Sequence, residues 1–276
     1  MNIRADYADV YRMLGLSEVA AKIALGHLPM PGPTLRVPFP AVAFPPALIP
    51  IWLRPVDLQY FGYWKHFFSK RHVSIVSCAA ADGWRPTEVA RTIDQFFAYE
   101  CVHQLCAFGG PTDELRAFAA AAHIDLDALD RLSNEVGENP QALFRSQLFS
   151  GGVPLSAAGA DAGGYRGDFP HEAMVMTAAT LRRTCTLEFT PAHAARIADI
   201  ADTPPWFSTA DQPATFDALL AAGDFAGAWM SLNSSGWQFL QAKQAMRTLS
   251  AAAGDADLEI LAAAWCGQPH VMTWRY

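Results

Sequence analysis

Charge is scarce in this 276-residue chain: Asp, Glu, Lys and Arg make up 17% of it, against 51% hydrophobic and 12% aromatic residues. That balance excludes the charged, aromatic-poor composition that keeps a chain disordered. Basic clusters are missing as well. No run of Lys and Arg exceeds three and the formal net charge is −7, so the footprint that phosphate-backbone binding requires is absent and nucleic acid is not expected as a partner. An acidic surface favours a basic protein partner through long-range steering, though it is equally ordinary for a solubilised cytosolic chain. Cys78, Cys101, Cys106, Cys185 and Cys266 form an odd set without a CxxC pair, which argues against a disulfide framework and a thiolate zinc site and predicts reduced thiols in the cytoplasm. The N-terminus lacks the apolar h-region of a signal peptide. The most apolar early stretch, Pro38 to Leu53, carries five prolines and is shorter than the ~20 residues that cross a bilayer, so no membrane segment is expected. Nor is there a GxGxxG, a GxxxxGK[ST] or a GxSxG motif, which disfavours a nucleotide-dependent enzyme and a nucleophile-elbow hydrolase. No cofactor is expected.

What is present changes character along the chain. Two short helices are predicted at the start, one around Asp6 to Leu14 and one capped by Ser17 and ending near Gly26. From Pro29 to Pro55 prolines recur too often for any helix and predict extended chain laid across a surface. The aromatic run Tyr60 to Phe68, the turn Ser69 to Arg71 and the β-branched run His72 to Cys78 predict a hairpin, with Leu48 to Leu53 as an edge strand that tolerates Pro50. Beyond Asp82-Gly83 the pattern reads as helical to the end, opening with a long helix from Pro86 to about Phe108. Thr112, Asp125 and Asn139-Pro140 start further helices, and six glycines between Ser150 and Asp168 mark a long loop. Helical stretches then resume, from His171 to Glu188, Thr190 to Ala201, Pro213 to Ala222, up to Leu232, Ser235 to Ala252 and Asp255 to Trp265. The expectation is a helix-dominated α+β protein in one compact unit. A small N-terminal antiparallel sheet occupies residues 1–82, and a multi-helix bundle occupies residues 83–276 with its glycine-rich loop at 150–168.

A helical wheel through the segment from Pro86 places Val89, Ala90, Ile93, Phe96, Phe97 and Cys101 on one apolar stripe. Glu100 falls inside that stripe, Gln104 beside it and His103 at its edge, while Glu88, Arg91 and Gln95 lie on faces predicted to be solvated. A carboxylate facing a core is costly unless it is hydrogen-bonded, so Glu100 should have a specific partner. Glu100-x-x-His103 also has the spacing by which one helix supplies two ligands to a carboxylate-bridged metal pair, with His171 as a further inward candidate. A second copy of that motif is missing, and a buried polar cluster of Glu100, His103 and Gln104 is preferred to a metal site. Cys101, His103 and Cys106 resemble a metal motif on paper, but on a helix Cys101 and Cys106 diverge by roughly 140° and do not close on one ion.

The aromatic hairpin is the most distinctive local feature. Either both its faces are buried, one beneath helices and the other beneath the proline-rich segment, or one row, for example Phe61, Tyr63 and Phe67 with Lys65, forms an exposed binding patch; Tyr63, Trp64 and Lys65 are the candidate anchors. Asp161 and Asp168, in the glycine-rich loop, are candidate contacts to a basic partner. The run Leu48 to Trp52, followed by Tyr60 to Phe68 and His72 to Val76, resembles the central segment of bacterial SUKH-type proteins over about residues 9–77. Many of that family are immunity proteins that neutralise toxins delivered between competing bacteria. The resemblance implies a non-catalytic cytoplasmic protein whose partner is a toxin domain. It departs from the family at Arg54 to Gln59, where the acidic-glycine turn is replaced, and in the long helical portion after Gly83. The alternative class is a helical enzyme or biosynthetic accessory protein with a pocket around Glu100 and His103.

Overall fold

The computed structural model of the chain describes residues 4–38, 42–68, 73–82, 84, 86–137, 143–150, 152, 154, 205–208, 211–234, 236–268 and 276. The glycine-rich loop with Asp161 and Asp168, the predicted helices over His171 to Glu188 and Thr190 to Ala201, and the hairpin turn lie outside these residues.

The chain opens with α1 (Arg4–Met13) and α2 (Glu18–Ala24). As expected, the Ser17 hydroxyl caps α2, accepting from the Ala20 amide at 3.2 Å. Tyr7, Val10 and Tyr11 turn inward, and the Tyr11 hydroxyl donates to the Pro50 carbonyl. The sheet is a four-stranded antiparallel meander of β1 (Leu48–Arg54), β2 (Gln59–Trp64), β3 (Ser74–Ala79) and β4 (Thr87–Ala90), in that order. β1 is the edge strand that Pro50 predicts, because an edge tolerates a residue without an amide donor. Its register against β2 slips between Pro50 and Trp52. Gly62 faces that slip, and any side chain there would overlap the Ile49 carbonyl. On the free side of β1, Arg36 and Leu53 exchange two backbone hydrogen bonds of 2.9 Å. The proline-rich segment is thereby tied to the sheet.

Both faces of the sheet are covered. Trp52 and Phe61 face α3 (Ile93–Phe108), with the Trp52 ring 4.7 Å from Phe96 and 5.6 Å from Phe97. Tyr60, Trp64 and Val76 face the other way, where Phe44 and Trp84 pack on Tyr60 at 5.2 and 5.9 Å. Aromatic pairs at such separations are stabilising beyond their buried area.

The fourth strand corrects the expected pattern. The sheet extends past Gly83, and the long helix begins at Ile93 rather than Pro86. Thr87–Ala90 completes the open edge of β3, and Thr92 then takes the N-cap position, accepting from the Gln95 amide at 3.2 Å. Glu88 and Gln95, predicted to be solvated, are buried. Glu88 receives Arg91 Nε at 2.9 Å, and Gln95 donates to the carbonyls of Leu148 and Gly152. A helical wheel misplaces Glu88 because it stands on a strand, and it misplaces Gln95, which is on α3, because the chain carrying Leu148 and Gly152 covers that face.

The helical part follows its caps. Thr112 and Asp125 start α4 (Asp113–Ala122) and α5 (Leu126–Val136), and α5 packs on α3. Where a helix from Asn139-Pro140 to Phe149 is expected, residues 138–142 are not described and Gln147–Phe149 forms a 3-10 turn. After α6 (Pro205–Ser208) come α7 (Gln212–Ala221), α8 (Phe225–Leu232), α9 (Phe239–Ala253) and α10 (Ala256–Gly267). Gly223 and Gly254 adopt positive φ between these helices, and the next residue, Asp224 or Asp255, caps the following helix. α9 starts four residues later than Ser235 predicts, because the Gly236 and Trp237 amides bond instead to the Tyr276 carbonyl. The last helix, α10, lies against α1, and its Trp265 indole donates to the Phe44 carbonyl at 3.1 Å. Helix dominance and the N-terminal antiparallel sheet agree with the α+β expectation.

Candidate functional site

Glu100 and Gln104 lie one turn apart on the buried side of α3, 1% and 3% exposed. Gln104, one turn on, favours the charged form of Glu100, but one oxygen of each group, Glu100 Oε2 and Gln104 Oε1, is left with no hydrogen-bond partner among the described residues. Loss of hydration raises the Glu100 carboxyl to about 7, against the opposing influences of the Arg54 charge and the Gln104 side chain. Arg54, at the end of β1, does not close the gap. Its Nη1 donates to Gln59 Oε1 at 2.6 Å, Gln59 donates onward to the Ser77 hydroxyl, and its guanidinium sits 5.2 Å from the centre of the Phe61 ring. The same environment pushes the Cys101 thiol up to about 12, first by burial and then by the Glu100 charge.

The third member of the predicted cluster is elsewhere. His103 is on the exposed side of α3 while Glu100 is buried, so the two do not converge as metal ligands or as an acid–base pair. Its imidazole is held below the usual histidine range by partial loss of hydration and by Arg54. Cys101 is buried and Cys106 exposed, the divergence that helical geometry predicts. Among the described residues no three His, Cys, Asp or Glu side chains are grouped to hold a metal ion. His171 lies outside those residues.

Outside this polar pair runs a groove of about 740 Å³ that no sequence motif signals. Pro29, Met30, Pro33, Leu35 and Val37 of the proline-rich segment form one side and Pro55 with Ala117 of α4 the other, while Arg36 and Glu114 supply its charge. Gly32 lines the groove and also presses on Gln104: a methyl group at residue 32 would overlap Gln104 Oε1. Glycine permits such a close backbone approach, but nothing in the sequence around Pro31-Gly32-Pro33 names the side chain it meets.

The aromatic hairpin divides. Trp64, predicted as a binding anchor, is fully buried, and its indole donates to His66 Nε2 at 2.9 Å. Strand alternation puts it on the Phe44 side of the sheet, so it offers no contact area to a partner. Tyr63 and Lys65 are half-buried. Burial, and then the nearby Asp94 carboxylate, raise the Tyr63 phenol. Lys65 Nζ stands 4.9 Å from the centre of the Phe67 ring, and Phe68 remains 37% exposed against Phe225. Among the described residues no helix is long and apolar enough to cross a membrane. No family model matches the chain, and no curated protein or solved structure is significantly similar to it.

Proposed function

We propose that this chain is a non-catalytic cytoplasmic binding protein, most concretely an immunity protein that neutralises a bacterial toxin. The observation that carries the reading is the separation of its polar and aromatic groups. Glu100 and Gln104, the chemistry-bearing pair, are closed off beneath the proline-rich segment, while Tyr63, Lys65 and Phe68 keep part of their surface at one end of the hairpin. Acid–base turnover needs a second reactive group beside Glu100, and His103 lies on the exposed side of α3, whereas binding needs a few aromatic or cationic anchors on accessible surface. The net charge of −7 favours fast encounter with a basic partner. The resemblance of residues 9–77 to SUKH-type proteins supplies the specific class.

The test is co-expression with a toxin encoded next to this gene. Wild-type protein restores growth, and a Tyr63→Ala plus Lys65→Ala variant folds normally yet protects less and binds more weakly. A folded double variant that binds with undiminished affinity removes the hairpin from the interface. Small-molecule turnover abolished by Glu100→Gln replaces the reading with the enzyme class.

A further inference from the structure

The unmatched oxygens of Glu100 and Gln104 lie on one side of α3, and between Gln104 and the groove stands the backbone of Gly32. Each is a buried acceptor that lacks a donor among the described residues, a deficit that native interiors avoid unless something else supplies the match. Arg54 is a cation close enough to act on Glu100, but its Nη1 is committed to Gln59. Pro29, Pro31 and Pro33 carry no amide donor, and among the described residues the segment's ladder contact with the sheet is the Arg36–Leu53 bridge, with Leu35 anchored in the core beside it. Gly32 is the element that separates Gln104 from the groove.

We propose that the groove and the Glu100–Gln104 pair form one binding site for an organic cation, a primary ammonium on an apolar stem, admitted when the strap around Gly32 lifts. The head-group chemistry follows from what is missing. With Glu100 ionised the pair offers two acceptors without a donor and calls for a ligand that only donates; a compact ammonium brings three N–H groups and the charge that the carboxylate requires. The stem follows from the groove wall, where Pro29, Met30, Val37 and Ala117 present apolar surface. Glu114 at the rim attracts a cation and offsets the charge of Arg36, whose guanidinium is fixed on the carbonyls of Pro33 and Leu35. Glycine at residue 32 is required for the closed state and for nothing else visible in the fold.

A free alkylamine and a lysine side chain of another protein share this chemistry, and the site's own properties do not depend on the toxin reading. The experiment is amide NMR on the full chain, following the Gly32 backbone amide and the Gln104 side-chain amide. The probes are n-butylammonium chloride, neutral n-butanol and an acetylated, amidated Pro-Lys-Pro peptide. Saturable shifts at both groups with the amine, none with the alcohol at equal concentration, and affinity lowered at least about tenfold in folded Glu100→Gln support the site. Should Glu100→Gln not fold, Gln104→Met carries the same expectation. Tighter binding of the peptide than of the amine assigns the natural ligand to a lysine of a protein, and the reverse order assigns it to a free amine. Absence of saturable shifts at Gly32 and Gln104, an alcohol as effective as the amine, or equal affinity in the folded variant overturns the proposal. Growth protection can fail while these shifts persist, so the two readings fall separately.

Discussion

Two buried polar clusters in this molecule are built on opposite terms. In the C-terminal part Gln212, Ser231 and Asn233 are closed from solvent, and each is hydrogen-bonded through its side chain. The Gln212 amide donates to the Trp206 carbonyl at 2.7 Å, the Ser231 hydroxyl to Gln212 Oε1 at 2.8 Å, and the Trp237 indole to the Ser231 carbonyl at 2.8 Å. Asn233 donates to the Trp229 carbonyl at 2.8 Å and accepts from the Ala47 amide at 2.7 Å. That last bond joins the helical part to the lead-in of β1. The Glu100–Gln104 pair is just as buried but keeps two oxygens unmatched. A satisfied network specifies one packing of the core, whereas an unsatisfied one is a standing cost that a structural role does not require. The first cluster is architecture. The second is where ligand chemistry has room to act.

The largest way to break this comparison is Asn233→Ala. It strands the Ala47 amide and the Trp229 carbonyl and opens a small cavity, so urea unfolding should report a loss of about 4 kcal/mol. A loss below about 1 kcal/mol would mean that the cluster is not architectural.

Glu100 should behave in the opposite sense. Its folded pKa of about 7 stands above the ordinary 4.5, so between those values the folded state binds more protons than the unfolded one. The contribution is full below pH 4.5, declines as pH rises through about 7, and is gone above that. Integrated over the window it amounts to about 3 kcal/mol. Stability measured against pH should fall across this window in the wild type and much less in Glu100→Gln, which should also be the more stable of the two in mildly alkaline solution. Parallel curves for the two proteins would place the titration elsewhere.

Ser231→Ala sharpens the contrast at smaller scale. It removes the hydroxyl that satisfies Gln212 Oε1 and should cost about 1–2 kcal/mol in the same urea assay. Smallest of all is Lys65→Ala, which gives up the contact with Phe67 on a half-exposed side chain and should change stability by about 0.5 kcal/mol. A thermal midpoint shift larger than that of Ser231→Ala would show Lys65 to be structural, and its value as an interface probe would disappear.

Much of the helical fold was legible because capping is local. Ser17, Thr112, Asp125, Asp224 and Asp255 each place an oxygen within reach of an amide three residues on, wherever the helix then packs. The hairpin was legible from its aromatic and β-branched runs, and Pro50 marked its own strand as an edge. β4 was missed because Pro86 reads as a helix start and the run Thr87 to Ala90 is only four residues long. Its strand character comes from the open hydrogen-bonding edge of β3. Of the candidate site, Glu100 and Gln104 were found from the wheel. His103 was grouped with them because a wheel gives angles around a helix but not what covers each angle.

The sequence alone determined the class of fold, the helix starts marked by a capping side chain such as Asp255, the edge position of β1 and the inward direction of Glu100, since each depends on residues within a turn or a strand of one another. Tertiary structure alone decided which face of the hairpin carries Trp64, that Glu88 and Gln95 are buried, that Asn233 bonds to Ala47, and that Gly32 closes over Gln104. Those outcomes depend on chain segments far apart in sequence meeting at one place, and burial, hydrogen-bond satisfaction and a carboxyl held near neutrality are properties of that meeting rather than of any residue on its own.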